Sequence, residues 1–589
     1  MSMRDTVHEI FEETARVHSD RPALRRKRNG TWETTTWREY RVAVRRAAAG
    51  LAALGVERGR GVVILGFNRP EWFVAHLAAM AAGGLPAGIY TTSTAEQCRY
   101  IADHAEAVVA VVESREYLER FVSVRRDLPR LRAIVLMEGE AGGEALTWNR
   151  LLETGDGGDE GEIERRMAAA KAEDVCSLIY TSGTTGSPKA VMLTHGNVSW
   201  IARRAVELID VGVGDRLISY LPLSHIAEQV VSLYLSMATG ACVHFARSLE
   251  TLADDLRDVR PHVFLGVPRV WEKIQAAVQA AGAPAGGLKK KIAAWARRIG
   301  LAGGYADQQG RSRPWTYPLA ERLVFSTVRD RLGLDATRFA IVSAAPIAVE
   351  TLEFFLSLGL PIMEVYGMSE CTGPATMSLP RAYRTGRAGR AIPGTELRLA
   401  EDGEVLMRGP HLFKGYYKDD EATRETLDAS GWLHSGDVGE IDADGYLRIT
   451  DRKKELIITA GGKNIAPQYL EGKLKQIPAV SQAVAVGDRR PYVVALLSLD
   501  PGRVAAEAAR AGSPARTTAE AASCPVFKAW VDGQVQEVNR GLARYEQIRR
   551  FTLLPQELTV DGGELTPTMK LKRRVIHERY RDIIAALYG

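Results

Sequence analysis

The sequence predicts an α/β fold, and two observations carry that prediction. Short apolar runs rich in β-branched residues recur at Val62 to Leu65, Ala107 to Val112, Ile134 to Met137 and Val175 to Tyr180, and segments with helical apolar spacing separate them. A run without polar alternation suits a strand buried on both faces, and strands alternating with helices make a parallel sheet. The chain has 589 residues, room for several globular units at roughly 100 to 200 residues each.

Taken in chain order, Thr6 and Glu9 form a capping box ahead of Ile10, Phe11 and Ala15, the start of an amphipathic helix. Trp72 to Tyr90 has no Asp, Glu, Lys or Arg, but His76, Gly83, Gly84 and Pro86 interrupt it. It reads as a helix followed by a strand rather than a membrane span. Segment 138–164 is rich in Gly and Glu without apolar periodicity, and is expected to be a surface excursion. Between Gly282 and Arg313, Leu288, Ile292, Trp295 and Ile299 fall on one helical face opposite Lys289, Lys290 and Arg297. Such a helix can touch a membrane surface; the plain alternative is a solvated helix packed on its own domain. From Thr395 to Asp451 the strands shorten and Gly and Asp turns multiply, so the sequence divides into 1–450 and 451–589.

Charge and cysteine usage exclude several classes. Lys and Arg number 77 against 72 Asp and Glu, a net +5 that is too small over this length for a nucleic-acid binder. Cys98, Cys176, Cys242, Cys371 and Cys524 are scattered with no CxxC pair, against a disulfide scaffold or a zinc module. The opening residues are acidic where an export signal needs an apolar core, so a cytoplasmic location is expected.

The most informative segment runs from Tyr180 to Lys189, directly after an apolar strand. Gly183 and Gly186 let backbone N–H groups turn toward an anion, Thr181, Ser182, Thr184, Thr185 and Ser187 add hydroxyls, and Lys189 adds positive charge. The segment reads as a phosphate cradle, the plain alternative being a Ser/Thr/Gly surface turn. It is not a Walker A loop, because Pro188 precedes Lys189 where that motif has Gly.

This loop resembles that of the adenylate-forming superfamily of acyl-CoA synthetases, adenylation domains and luciferases, and further motifs match in order. Tyr366-Gly367-Met368-Ser369-Glu370 resembles the adenine and magnesium motif, with Ser369 where Thr is more usual. His434-Ser435-Gly436-Asp437 and Asp451-Arg452-Lys453-Lys454 resemble the ribose and hinge motifs, and Pro567 to Lys570 the C-terminal lysine segment. Ser219 to His225, Val267 to Ile274 and Glu564 to Pro567 look like the long-chain fatty acyl-CoA synthetases. Two departures stand out: Ala190 and Ser343 occupy positions where Gly is common, which leaves their backbone angles open.

The resemblance implies a large N-terminal adenylate-forming domain of α/β subdomains with a small β-rich lobe, and a mobile α+β C-terminal domain hinged at Asp451. It implies ATP-dependent activation of a long-chain fatty acid to acyl-AMP, then thioester formation with coenzyme A. A carboxylate acylates poorly because its leaving group would be oxide, and AMP is a far better one. Charge that gathers at the α-phosphorus needs preorganised cations. On this reading Glu370 and Thr184 hold Mg2+, and Asp437 and Arg452 bind the ribose, Arg452 from across the domain boundary. Tyr366, Gly367, Ala344 and Ala345 line the adenine, and Ser369 completes the motif. Lys570, with Lys572 as runner-up, bridges the acid and the α-phosphate; Gly461 and Gly462 form a turn beside the pantetheine channel. His225 gates the acyl tunnel or orients the carboxylate, or is simply a packed histidine, and Trp271 is equally a core residue.

Two other readings compete. A fatty acyl-AMP ligase would hand the acyl group to a carrier-protein thiol, but no obstructing insertion is evident near Asp451. A noncatalytic lipid or nucleotide binder would have no need to keep Glu370, Asp437, Arg452 and Lys570 together.

Overall fold

The computed structural model describes residues 6–157, 160–181, 187–282, 286–460, 463–566 and 569–589. By packing, the chain forms two units: Met1–Ala344 with Thr351–Leu397 and Met407–Leu433, and Ala345–Glu350 with Arg398–Leu406 and His434–Gly589.

In the first unit the expected runs become strands of an eight-stranded sheet. Gly61–Leu65 lies between Leu85–Ile89 and Ala107–Val112, all parallel, and the next neighbours are Val175–Thr181 on one side and Ala133–Leu136 on the other. Gly61–Leu65, Leu85–Ile89 and Ala107–Val112 are buried at every position, which is why they lack polar alternation. A nine-stranded sheet runs from Arg390–Ala391 through Gly373–Met377, Ile362–Met368 and Phe339–Val342 to the edge strand Thr31–Thr36. The fold is α/β with largely parallel sheets.

The helices follow from their local chemistry. Thr6 accepts from the Glu9 amide while Glu9 reaches back to the Thr6 amide, closing the capping box that opens Val7–Val17. Pro70–Ala81 has Pro in its first turn and is buried from Trp72 to Ala81; protein covers that stretch on all sides, which explains why it carries no charge after Glu71. Among the described residues no helix is long and apolar enough to cross a membrane.

The segment 138–164, expected to be a surface excursion, is mostly exposed among its described residues but carries helix rather than irregular chain. Thr147 caps the helix Trp148–Asp156, and a further helix starts at Glu160. A Cβ at Gly50 would overlap the Leu151 carbonyl, and one at Gly155 would overlap the Arg46 carbonyl. The two glycines let Trp148–Asp156 and Trp37–Ala53 meet backbone to backbone, so Gly155 is a packing residue and not a loop signal.

The basic segment is one helix, Gly287–Gln308. Trp295 and Ile299 pack against a cluster of Ala296, Tyr317, Ala320 and Phe325, while Leu288 stays exposed.

The second unit holds the antiparallel strands Leu433–Ile441 and Leu447–Arg452, with residues from His434 onward in this unit. It also holds a three-stranded sheet of Val480–Val486, Val493–Leu499 and Ile548–Leu554. The first two of these are buried throughout, with one apolar cluster around Leu470, Val493 and Phe527 and another around Val484, Leu554 and Ile576. Asp451 lies inside this unit, as the penultimate residue of its strand.

Candidate active site

In the first unit, Val175–Thr181 turns back antiparallel onto Lys189–Thr194, setting Thr181 opposite Lys189 and Tyr180 opposite Ala190. Ser182, Gly183, Thr184, Thr185 and Gly186 lie outside the described residues; the hairpin fixes both ends of the segment that carries them. Ala190 is buried in the extended strand and Ser343 has negative φ, so neither position demands Gly. The left-handed conformation falls one residue later, on Ala344 with φ 75°. Ala345 belongs to the second unit.

Ile362–Met368 pairs antiparallel with Gly373–Met377, placing Tyr366 opposite Thr376 and Gly367 opposite Pro374. A Cβ at Gly367 would overlap the Gly373 carbonyl, so close backbone approach sets the glycine of this motif. The chain then makes a 3-10 turn over Ser369–Cys371 with all three residues buried. The Phe413 amide donates to the Glu370 carbonyl at 2.8 Å, and the Tyr416 hydroxyl donates to Glu370 Oε1 at 2.7 Å.

Tyr416 was not visible as a site residue in the sequence. It sits on the two-residue strand Gly415–Tyr416, which adds to the outer edge of Lys189–Thr194 with Tyr416 opposite Val191. Lys189 Nζ lies 5.0 Å from the Tyr416 ring centroid and 3.8 Å from the Asp419 carboxylate. Burial and the Glu370 charge hold the Tyr416 phenol well above its usual pKa, so it remains a donor. Tyr416 thereby joins the Lys189 ammonium to the Glu370 carboxylate. Glu370 keeps its other carboxylate oxygen without a donor among the described residues, which suits a hard divalent cation.

His225 accepts from the Ala227 amide at 3.2 Å and caps the short helix Ile226–Glu228. Three residues on, the buried Glu228 accepts from Ser219 at 2.7 Å and Ser232 at 2.6 Å, and burial pushes its carboxyl up to about 7. Glu228 was not visible as a site residue in the sequence, although it lies only three residues after the Pro-Leu-Ser-His run. Trp271 is wholly buried between Phe264 and Phe355, and its Nε1 donates to the Ile341 carbonyl at 3.0 Å, which makes it a core residue.

In the second unit Asp437 and Arg452 are cross-strand neighbours, with Arg452 Nε 3.2 Å from Asp437 Oδ1. Arg452 therefore meets Asp437 from the adjacent strand of the same compact unit. Asp451 is buried, accepts from the Arg452 amide at 2.6 Å, and is pushed up to about 7 by burial, against the pull of Arg573. Gly461 and Gly462 lie outside the described residues; the Thr459 amide donates to the Lys463 carbonyl across them at 3.0 Å.

Lys570 follows Met569, whose φ is 65°, and its amide donates to Thr566 Oγ1 at 3.0 Å. The basic run is not a uniformly solvated strip. Arg573 is half-buried and forks onto both Glu471 oxygens at 2.8 Å, with Nε donating to Glu455 at 3.1 Å. The structure brings Thr181, Lys189, Tyr366, Gly367, Ser369 and Glu370 into one unit, and Asp437, Arg452 and Lys570 into the other.

A family model described as "AMP-binding enzyme" matches residues 11–417, and "AMP-binding enzyme C-terminal domain" matches 454–589. The chain belongs to the AMP-binding enzyme family. This AMP-binding enzyme is 40% identical over 618 residues to the long-chain-fatty-acid–CoA ligase ACSBG2 of Xenopus laevis, covering 99% of this chain and 84% of the relative. It is 38% identical over 617 residues to the long-chain-fatty-acid–CoA ligase ACSBG1 of Mus musculus, covering 99% and 85%. Among solved structures it is similar to the anthranilate CoA ligase AuaEII in complex with anthranoyl-AMP, with a TM-score of 0.76 at 21% identity over 99% of each chain. At that identity the AMP-binding enzyme and AuaEII share a fold.

Proposed function

We propose that this AMP-binding enzyme is a long-chain fatty acid–CoA ligase. It uses ATP to convert the acid to acyl-AMP with release of pyrophosphate, then forms acyl-CoA and AMP. The observation that carries this reading is 40% identity along essentially the whole chain to a ligase of that name.

The chain's own residues supply the chemistry. The acid's carboxylate oxygen attacks the α-phosphorus, the bond to pyrophosphate breaks, and the thiol of coenzyme A later displaces AMP from the acyl carbon. Lys189 and the phosphate loop bind the triphosphate, and Tyr366 offers a flat face to adenine. Asp437 accepts from the ribose hydroxyls while Arg452, paired with it across the strands, orients its carboxylate. Lys570 stabilises the charge shared by the acid and the α-phosphate. Glu370 and Thr184 would hold Mg2+, which neutralises phosphate charge when bound.

The C-terminal domain is proposed to turn at Asp451, exchanging Lys570 for the Gly461-Gly462 turn beside coenzyme A. A φ/ψ change at this penultimate strand residue spares the ladder up to Ile449. The enzyme is proposed to work in the cytoplasm against a membrane surface, where free long-chain acids partition.

A panel of short, medium, long-chain and aryl acids, with pyrophosphate and acyl-CoA measured in parallel, tests the reading. Long-chain acids should give both products. Pyrophosphate without acyl-CoA would point to a carrier-protein acceptor, and neither product with any acid would reject ligase activity.

A further inference from the structure

The first unit carries an apolar helix face that none of its own described residues covers. After Gly287–Gln308 the chain returns as Tyr317–Ala320, Glu321–Phe325 and Ser326–Leu332, a continuous helical run whose middle stretch is wound as a π-helix. Its inner side is accounted for by Tyr317, Ala320 and Phe325, which pack with Trp295, Ala296 and Ile299. Its outer side is not the polar stripe of a solvated helix. Trp315, just before the helix, is 91% exposed, Leu319 51% and Leu323 52%. The spacing of four residues keeps Leu319 and Leu323 on one side of the helix, with Arg322 exposed beside them and Trp315 in the turn that leads into it. Leu288, 72% exposed, opens the neighbouring helix next to Lys289, Lys290 and Lys291.

Scattered exposed leucines need no explanation, but an almost fully exposed tryptophan with three leucines on one helical hairpin does. The charge around them says what they face. Residues 286–331 contain ten Lys and Arg against three Asp and Glu, a net +7 in a chain whose whole charge is +5, so the remainder nets −2. A second copy of the chain would set +7 against +7, which disfavours self-association through this face. Trp and Leu that enter the headgroup boundary, ringed by Lys and Arg that reach lipid phosphates, are the composition of a surface-bound amphipathic element.

We infer that the hairpin of Gly287–Gln308 and Tyr317–Leu332 docks the enzyme onto an anionic bilayer through Trp315, Leu319 and Leu323. The face differs from the one the periodicity of 288–299 suggests, because Trp295 and Ile299 are spent on the internal cluster. The purpose of docking, capture of a bilayer-dissolved acid, rests on the proposed fatty-acid substrate; the geometry does not.

The test is flotation of the full chain with vesicles of phosphatidylcholine alone or mixed with phosphatidylglycerol. The wild type should float with the anionic vesicles, and high salt should weaken binding. The triple variant Trp315→Ser, Leu319→Ser, Leu323→Ser should bind anionic vesicles at least about tenfold more weakly. A second variant, Lys289→Glu, Lys290→Glu, Lys291→Glu, should lose the preference for anionic lipid. Both should keep the wild-type melting profile, since all six side chains are exposed. Equal flotation with neutral and anionic vesicles, or flotation of the triple variant like the wild type, would overturn the inference. So would a wild-type dimer that ignores vesicles and disappears in the triple variant. Pyrophosphate exchange with a long-chain acid dispersed in non-ionic detergent, run without vesicles, reads the proposed reaction separately, so loss of one result leaves the other standing.

Discussion

The Tyr416 hydroxyl lies 2.7 Å from Glu370 Oε1, and the same ring lies 5.0 Å from Lys189 Nζ. One side chain thus fixes the relation between a cation and a carboxylate 181 positions apart in the sequence, the two groups proposed to meet the triphosphate and its metal. Tyr416→Phe keeps the ring and removes only the hydrogen bond to a charged acceptor, a loss of roughly 1.5 to 3 kcal/mol. We expect acid-dependent exchange of pyrophosphate into ATP to fall by about ten- to a hundredfold in kcat/KM, with a raised requirement for Mg2+. Exchange at the wild-type level would dismiss the positioning role.

Lys570→Ala should nearly abolish formation of acyl-AMP while sparing thioester formation from supplied acyl-AMP. Equal losses in the two half-reactions would refute the division, and a stronger effect from Lys572→Ala would move the assignment to that residue.

Gly367→Ala pushes a methyl group onto the Gly373 carbonyl between two paired strands. Neither backbone can yield easily, so a loss of about 1 to 3 kcal/mol in unfolding free energy is expected, together with weaker ATP binding. Urea unfolding measures the first effect. A stable variant would mean the strand pair opens without cost.

Glu228 supplies a pH signature. Its carboxyl is pushed up to about 7 in the folded chain against an ordinary value of 4.5. The folded state therefore holds a proton the unfolded chain has released, and stability falls as pH rises from about 4.5 to about 7. Glu228→Gln removes this slope, so its stability relative to the wild type should increase over that window and level off above it. Parallel unfolding curves at all pH values would contradict a buried, protonated Glu228.

The strand framework was legible because burial on both faces writes itself as uninterrupted apolar runs, as at Ala107–Val112. The strand leading into the glycine-rich segment was equally legible, and it pairs with Lys189–Thr194 beyond that segment. Tyr416 was not, because its role arises from an edge pairing between segments more than two hundred residues apart, which local periodicity cannot register. The helix at Trp148–Asp156 escaped because a glycine that permits helix contact looks the same in sequence as one that ends a helix. Asp437 and Arg452 were both singled out as ribose ligands, while their direct pairing across adjacent strands of one ladder needed the register.

The fork of Arg573 on Glu471 acts as a tether on the segment that carries Lys570. Three residues of fully extended chain span only about 10 Å, so the backbone of Lys570 stays on a short leash to the body of its unit. A long-range change in where this amine acts must then carry the helix bearing Glu471 along with it. Cutting the leash with Arg573→Ala would leave the lysine chemically intact and poorly aimed.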